Sequence, residues 1–267
     1  MVPWKQEVIK RVHGAVDPLG PSPVIFRKTG DLAALANPLQ CELACKAIEC
    51  DDISALSPTP RSVVDEAGRS GSSFVEFVAY LARLALDSRP KFILVECVAN
   101  LAKLRKAVQE QGTVVVSEKL KSLGYQGKWQ VLNSKHFGVA QNRTRAWGIF
   151  AKLSSCSAQK VEDAWKLISR CHVMPDVGDS IRFLQFHSCF HPCLLPKKKY
   201  LYLINGHPTL NYSAKLPFEL QGMGEEELAM VNLRDHLSVS EAQELCGNAF
   251  TGNIVIAALV AILLQMD

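Results

Sequence analysis

Cys50, Glu96 and the pair Arg143 and Arg145 offer a thiol, a carboxyl and two fixed cations. Side chains of these types can supply a nucleophile, a general acid and an electrostatic clamp. Cys50 lies in "AIECDDISALSP", an apolar segment that runs into a long loop. Glu96 closes the apolar run "KFILVE", a setting that favours a proton-bearing carboxyl. The stretch "QNRTRAWGIF", residues 141–150, places Gln141, Arg143 and Arg145 on alternate positions before an apolar run. That alternation predicts one strand with all three polar side chains on the same face. Two guanidiniums so spaced suit two adjacent acceptors, such as phosphates or a base edge. Each group also has an ordinary explanation: an inert core thiol, a carboxylate at a helix start, a charged face on an edge strand.

The elements around these residues say where they would stand. Phe74, Phe77, Val78, Leu81 and Leu84 recur at helical spacing from Ser73, and the helix must stop before Arg89–Pro90. "KFILVECV" is a continuous apolar strand of the kind buried on both faces. A helix is expected at about Leu101 to Gln111, then a strand at "WQVLN" and the strand that follows Gln141. Alternation of this kind indicates an α/β fold with a doubly wound, mostly parallel sheet. Ligands in such sheets bind beyond the carboxyl ends of the strands, where Cys50, Glu96 and the arginine strand fall. Residues 54–72 are rich in breakers and read as a mobile loop, and residues 14–24, rich in Pro and Gly, read as a loop. After Leu153 the pattern weakens. A helix at "VEDAWKLISRC", strand-like residues 181–204 with a basic tip at Lys197, Lys198 and Lys199, and helical order from about Glu225 follow. The run "IVIAALVAILL" is too short to span a bilayer and reads as a buried helix.

Bulk composition is that of a globular α/β protein: 267 residues, 48% hydrophobic, 21% charged, with a net charge of +4. That charge permits nucleic acid without arguing for it. Nine cysteines without framework spacing, and no signal peptide, point to an intracellular chain with reduced thiols, nuclear if eukaryotic, and no membrane partner. His187, Cys189, His191 and Cys193 alternate in "HSCFHPC". Zinc ligands usually pair across a turn instead, so a strand face is the preferred reading and no metal is expected.

The order of these pieces resembles the cytosine-C5 DNA methyltransferases. "ECDDIS" is similar to that family's Pro-Cys nucleophile loop, and "RPKFILVECVANL" to its Glu-Asn-Val strand. "LGYQGKWQVLNSKHFGVAQNRTRAWGIF" is similar to the segment ending in Gln-x-Arg-x-Arg, "LPFELQGM" to a Leu-Gln-Gly element, and "LCGNAFTGNIVIAAL" to the final Gly-Asn segment. The resemblance implies a Rossmann-like methyltransferase fold, N-terminally incomplete. Residues 1–153 and 217–267 would form the catalytic domain, and residues 154–216 a small target-recognition-like region. It implies methyl transfer from S-adenosylmethionine to carbon 5 of a flipped cytosine in DNA. Cys50 would add to C6, Glu96 would donate to N3, and Arg143 and Arg145 would hold the base O2, a phosphate or the nucleophile loop. Asp31, Asn248 and Ala249 would bind the cofactor, and Lys197–Lys199 would touch phosphates.

Three departures keep other readings open. The family's Phe-x-Gly-x-Gly cofactor loop is not found upstream of Gly30. Glu49 replaces the Pro before the nucleophile, and Asp51 and Asp52 follow it, so three carboxylates flank the thiol and disfavour its thiolate. Cys97 replaces the Asn after Glu96. The chain could be a silent relative that binds DNA or an active methyltransferase, and a tRNA substrate is a third possibility.

Overall fold

A computed structural model describes residues 10, 31, 41–55, 57–105, 108–173, 181–182, 191–192, 201–204, 207–210, 215–223 and 237–266. At 104–105, 181–182, 191–192, 201–204, 207–210, 215 and 248 it describes the backbone alone. The chain forms two compact units. One comprises Phe26–Leu132, Thr144–Arg170 and Ala258–Asp267, and the other Met1–Ile25, Asn133–Arg143 and Cys171–Ala257.

The first unit is built on a four-stranded sheet. Its strands are β1 (Leu43–Ala47), β2 (Phe92–Val98), β5 (Tyr125–Asn133) and β7 (Thr144–Lys152), in the order β1-β2-β7-β5. The first six residues of β2 are all buried, which requires cover on both faces. Ile93, Val95 and Cys97 on one face enter a core with Phe74, Phe77 and Leu81 of helix α1 (Arg69–Arg83) and with Val116 and Leu120 of α2 (Gly112–Lys121). Helix α3 (Ala158–Arg170) buries Val161, Ala164, Trp165 and Ile168 and packs against β7.

The α/β class is as expected, and the sheet within it is mixed. β1 and β2 run parallel, joined through α1, while β7 runs antiparallel to β2. Leu153 N donates to Gly124 O at 2.9 Å, which brings the end of β7 beside the start of β5. Only about ten residues join β5 to β7, and antiparallel neighbours need no long crossover.

Two elements differ from the sequence reading. Residues expected as a helix from Leu101 to Gln111 form a 3₁₀ turn, Ala99–Ala102, and a small antiparallel pair, β3 (Leu104–Arg105) with β4 (Glu110–Gln111). Gln109 takes a positive φ of 48° there, a turn conformation that no helix tolerates. The strand predicted over 141–150 is broken at Arg143 into β6 (Gln141–Asn142) and β7.

The second unit holds β6, which pairs in parallel with β9 (His191–Pro192), and a three-stranded sheet of β8 (Ile181–Arg182), β10 (Leu201–Ile204) and β11 (His207–Leu210). It also holds α4 (Lys215–Glu219), α5 (Val239–Asn248) and the start of α6 (Gly252–Leu263). α5 begins with a capping box, Ser238 accepting from Glu241 N and Glu241 accepting from Ser238 N. The apolar helix α6 is amphipathic in burial: Ile254, Ala258, Ala261 and Ile262 are buried, while Ile256, Val260 and Leu263 are exposed. By length and composition alone the stretch Val239–Leu263 is long and apolar enough to cross a membrane, a test that a core helix also passes. A break at 249–251 separates α5 from α6, and α6 buries one face.

Candidate active site

The carboxyl ends of the parallel strands β1 and β2 lie side by side, with Ala47 opposite Glu96 and Ile48 N donating to Glu96 O at 2.9 Å. Cys50 follows β1 by three residues and opens a tight turn, its carbonyl accepting from Ile53 N and Ser54 N. Glu96 and Arg145 are diagonal neighbours on β2 and β7, since Glu96 lies opposite Trp147 and Val98 opposite Arg145. Arg145 Nε reaches Glu96 Oε1 at 3.1 Å, with side chains 14% and 9% exposed. Three separate stretches of sequence thus bring a thiol, a carboxylate and a guanidinium together in one unit.

Burial pushes the Cys50 thiol above its ordinary pKa. Arg145 pulls it down, Asp51 and Glu96 push it up, and a hydrogen bond within the turn lowers it. The nearest cation in the site therefore acts on both the carboxylate and the thiol. Cys97 points the other way, into the core behind β2, and burial drives its pKa far up.

The loop after Cys50 is fastened at several points. Asn100 Nδ2, in the turn after β2, donates to Ile53 O at 2.8 Å. Asp52 Oδ2 accepts from Ser70 N at 2.9 Å and Asp52 N donates to Ser70 Oγ, so Asp52 caps the first turn of α1 from outside. Farther on, Glu110 accepts from Ser62 Oγ at 2.7 Å and from Val63 N at 3.0 Å. The loop expected to be mobile over 54–72 is thus tied down on both sides of Ser54–Pro60. Sequence reasoning missed Asn100, Ser70 and Glu110; an Asn just beyond a strand end, in "VANL", is the one visible signal.

Gln141 and Arg143 belong to the other unit, and both are buried. Arg143 Nη1 and Nη2 donate to the carbonyls of Gly247 and Ala249 at 2.9 and 2.7 Å. Its backbone is held by Ser134, whose N donates to Arg143 O and whose Oγ accepts from Arg143 N. Gln221 Nε2 donates to Cys246 O at 2.9 Å, Gly252 N to Gln221 O at 2.8 Å, and Asn253 Nδ2 to Phe137 O at 2.7 Å. Gly222 must be glycine: its φ is 85°, and a Cβ would stand 2.1 Å from Asn253 Oδ1. This network locks the turn between α5 and α6. The two arginines read as one face therefore serve different partners, because the ladder with β2 ends at Arg145 and Arg143 turns to Ser134.

Of the residues expected at the cofactor, Asp31 is helical and exposed, and Ala249 caps α5 with its carbonyl engaged by Arg143. Asn248 ends α5, and its side chain lies outside the described residues, as do His187, Cys189, Cys193 and Lys197–Lys199. His191 is described in its backbone only, on β9. Among the described residues, no cluster of three or more His, Cys, Asp or Glu could hold a metal.

Residues 64–183 match the model of the C-5 cytosine-specific DNA methylases. This part of the chain is similar to that family. The match contains Glu96, Arg143 and Arg145, and Cys50 lies just upstream of it. Among curated relatives, the type II methyltransferase M2.ScrFI of Lactococcus lactis subsp. cremoris is 30% identical over 100 residues, covering 38% of this chain and 26% of that protein. M.Sau3AI of Staphylococcus aureus is 29% identical over 108 residues, covering 40% and 25%. The chain's match thus spans about a quarter of the length of these relatives. Among solved structures, the S. pombe Dnmt2 methyltransferase aligns over 99% of this chain and 88% of its own, with a TM-score of 0.58 at 14% identity. The Entamoeba histolytica methyltransferase EhMeth aligns over 96% and 87%, with a TM-score of 0.51 at 13% identity. These similarities show a Rossmann-like α/β fold.

Proposed function

We propose that the chain transfers a methyl group from S-adenosylmethionine to carbon 5 of cytosine in DNA, with Cys50 as nucleophile. The observation that carries this reading is the Arg145–Glu96 ion pair at the strand ends beside Cys50. Cytosine C5 needs activation before it can take a methyl group. Thiolate addition at C6, with a proton delivered to N3, converts the ring to an enamine whose C5 is nucleophilic. Cys50 supplies the sulfur. Glu96 delivers the proton and holds the ring edge, and Arg145 orients Glu96 while favouring the thiolate. Loss of the C5 proton to a water molecule, release of Cys50 as thiolate and return of the N3 proton to the Glu96 carboxylate then restore the base.

The cofactor supplies the electrophilic methyl group. Asp31, an exposed carboxylate, is suited to accept from an exocyclic amine, and Asn248 stands at the end of α5. Arg143 is assigned here to shaping that helix end and not to the substrate.

One observation favours a second reading, a silent relative that binds DNA or an active methyltransferase: burial, Asp51 and Glu96 all hold the Cys50 thiol protonated. Covalent capture of DNA carrying 5-fluorocytosine, in the presence of S-adenosylmethionine, separates the two. Capture by the native chain, lost in Cys50→Ala, supports the enzyme. Capture that persists in Cys50→Ala rejects Cys50 as nucleophile. DNA binding without capture supports the silent relative, and capture of a fluorinated tRNA in place of DNA would change the substrate class.

A further inference from the structure

Three carboxylates flank the thiol, yet each is already engaged by the first turn of α1. Arg69, the first residue of that helix, reaches Asp51 Oδ2 at 2.8 Å with one nitrogen and Glu49 Oε2 at 3.5 Å with another. The next residue, Ser70, binds Asp52 through its backbone N–H and its hydroxyl. Asp52 is thus spent as a helix cap, and Glu49 and Asp51 share one guanidinium. We propose that Arg69 is a positioning residue for the Cys50 loop, drawing the charge of Glu49 and Asp51 away from the thiol so that the thiolate can form. The inference rests on Cys50 being the nucleophile, but the thiol can be titrated whether or not the chain is active.

The groups acting on Cys50 are Arg145 from β7, Asp51 from its own loop and Glu96 from β2, while Glu49 also faces Lys46 of β1. Arg145 is shared with Glu96, so it leaves Asp51 uncompensated. Arg69 is the cation placed on Asp51. Its side chain is 76% exposed, so water and salt screen the effect and its size is that of an exposed charge pair. This also explains how a loop reading "ECDDIS" can surround a nucleophile with acid: the neutralising residue lies nineteen positions later, at the other end of the loop.

The test is the pH dependence of iodoacetamide alkylation of Cys50 in the full chain, followed on its own peptide by mass spectrometry. Arg69→Ala should raise the apparent pKa by about 0.5 and slow alkylation at neutral pH about threefold, and Arg69→Lys should keep most of the native rate. The Arg69→Ala difference should vanish in a Glu49→Gln, Asp51→Asn background and shrink with added salt. An unchanged profile in Arg69→Ala overturns the proposal, as does a slowing that persists after both carboxylates are removed. If Arg69→Ala does not fold by circular dichroism, Glu49→Gln, Asp51→Asn alone decides: faster alkylation than native supports the proposal, and an equal or slower rate rejects it. Failure of 5-fluorocytosine capture with the Arg69 effect intact would count against the assigned reaction and leave the charge balance standing.

Discussion

Arg145→Met should be the most damaging single change to the candidate site. Arg145 and Glu96 form an ion pair at 3.1 Å with side chains 14% and 9% exposed, so neither charge has much water to fall back on. Removing one partner of such a pair leaves the other charge buried, at a cost of about 3–5 kcal/mol. The same change withdraws the cation that pulls the Cys50 pKa down, so the thiol should become harder to ionise as well as the fold weaker. Urea denaturation of the native chain, Arg145→Met, Glu96→Gln and the double variant measures the first effect. The double variant should be more stable than Arg145→Met alone, because the stranded carboxylate is then neutral, and the coupling should exceed about 1 kcal/mol. Cys50 alkylation at neutral pH measures the second, and it should slow. A loss below about 1 kcal/mol in Arg145→Met, or single effects that simply add, would show that the pair does not organise the site.

Three further outcomes test the surroundings. Arg143→Met should lower stability by about 2 kcal/mol or more, since two carbonyls lose charge-assisted bonds, and should expose residues 247–252 to proteolysis; an unchanged cleavage pattern would refute the staple. Lys46 is buried against Ser73 and burial lowers its pKa to about 8, against an ordinary 10.5. Between those values the unfolded chain binds more protons, so this group's contribution to stability rises with pH. Lys46→Met should therefore be more stable than native by about 1–2 kcal/mol at pH 7, with the advantage shrinking towards pH 10; a constant difference in urea midpoints would contradict this. Gly71→Ala should destabilise by about 2 kcal/mol or more, because a Cβ there would stand 2.1 Å from Asp65 O; a neutral thermal shift would show that the loop yields.

The placement of Cys50 and Glu96 could be read from the chain because both fall at strand ends. The run "FILV" is apolar throughout and leads into Glu96, so a both-face-buried strand with a carboxylate near its end followed directly, and both are present. Cys50 was placed by its loop, and the parallel pairing of β1 with β2 sets it beside Glu96. What could not be read depends on long-range pairing. Alternation at Gln141, Arg143 and Arg145 predicts a shared face only if the strand is continuous, and its ladder partner ends at Val98, opposite Arg145. The engagement of Glu49, Asp51 and Asp52 was hidden for the same reason, since their partners Arg69 and Ser70 are local to another element. The helix expected at Leu101–Gln111 failed because local periodicity there competes with a turn at Gln109.

The break at Arg143 gives the Gln-x-Arg-x-Arg spacing a physical meaning that a continuous strand would not have. Residues on alternate positions of one strand share a face and its environment. Here the first two members, Gln141 and Arg143, are buried in one compact unit, and the third, Arg145, is in the other. Arg143 faces neutral carbonyls at a helix end, where a fixed cation offsets the negative end of the dipole as well as satisfying two acceptors. Arg145 faces a carboxylate at the ends of the strands, where it neutralises that charge and pulls the Cys50 pKa down. Lysine could supply the charge in either place. It could not span two carbonyls two residues apart from one planar group, nor address the carboxylate through Nε while leaving Nη1 to bind Thr144 O. Two arginines, and not merely two positive charges, follow from that geometry. A lysine at 143 should therefore loosen the α5–α6 turn while keeping its charge, which separates the demand for shape from the demand for charge.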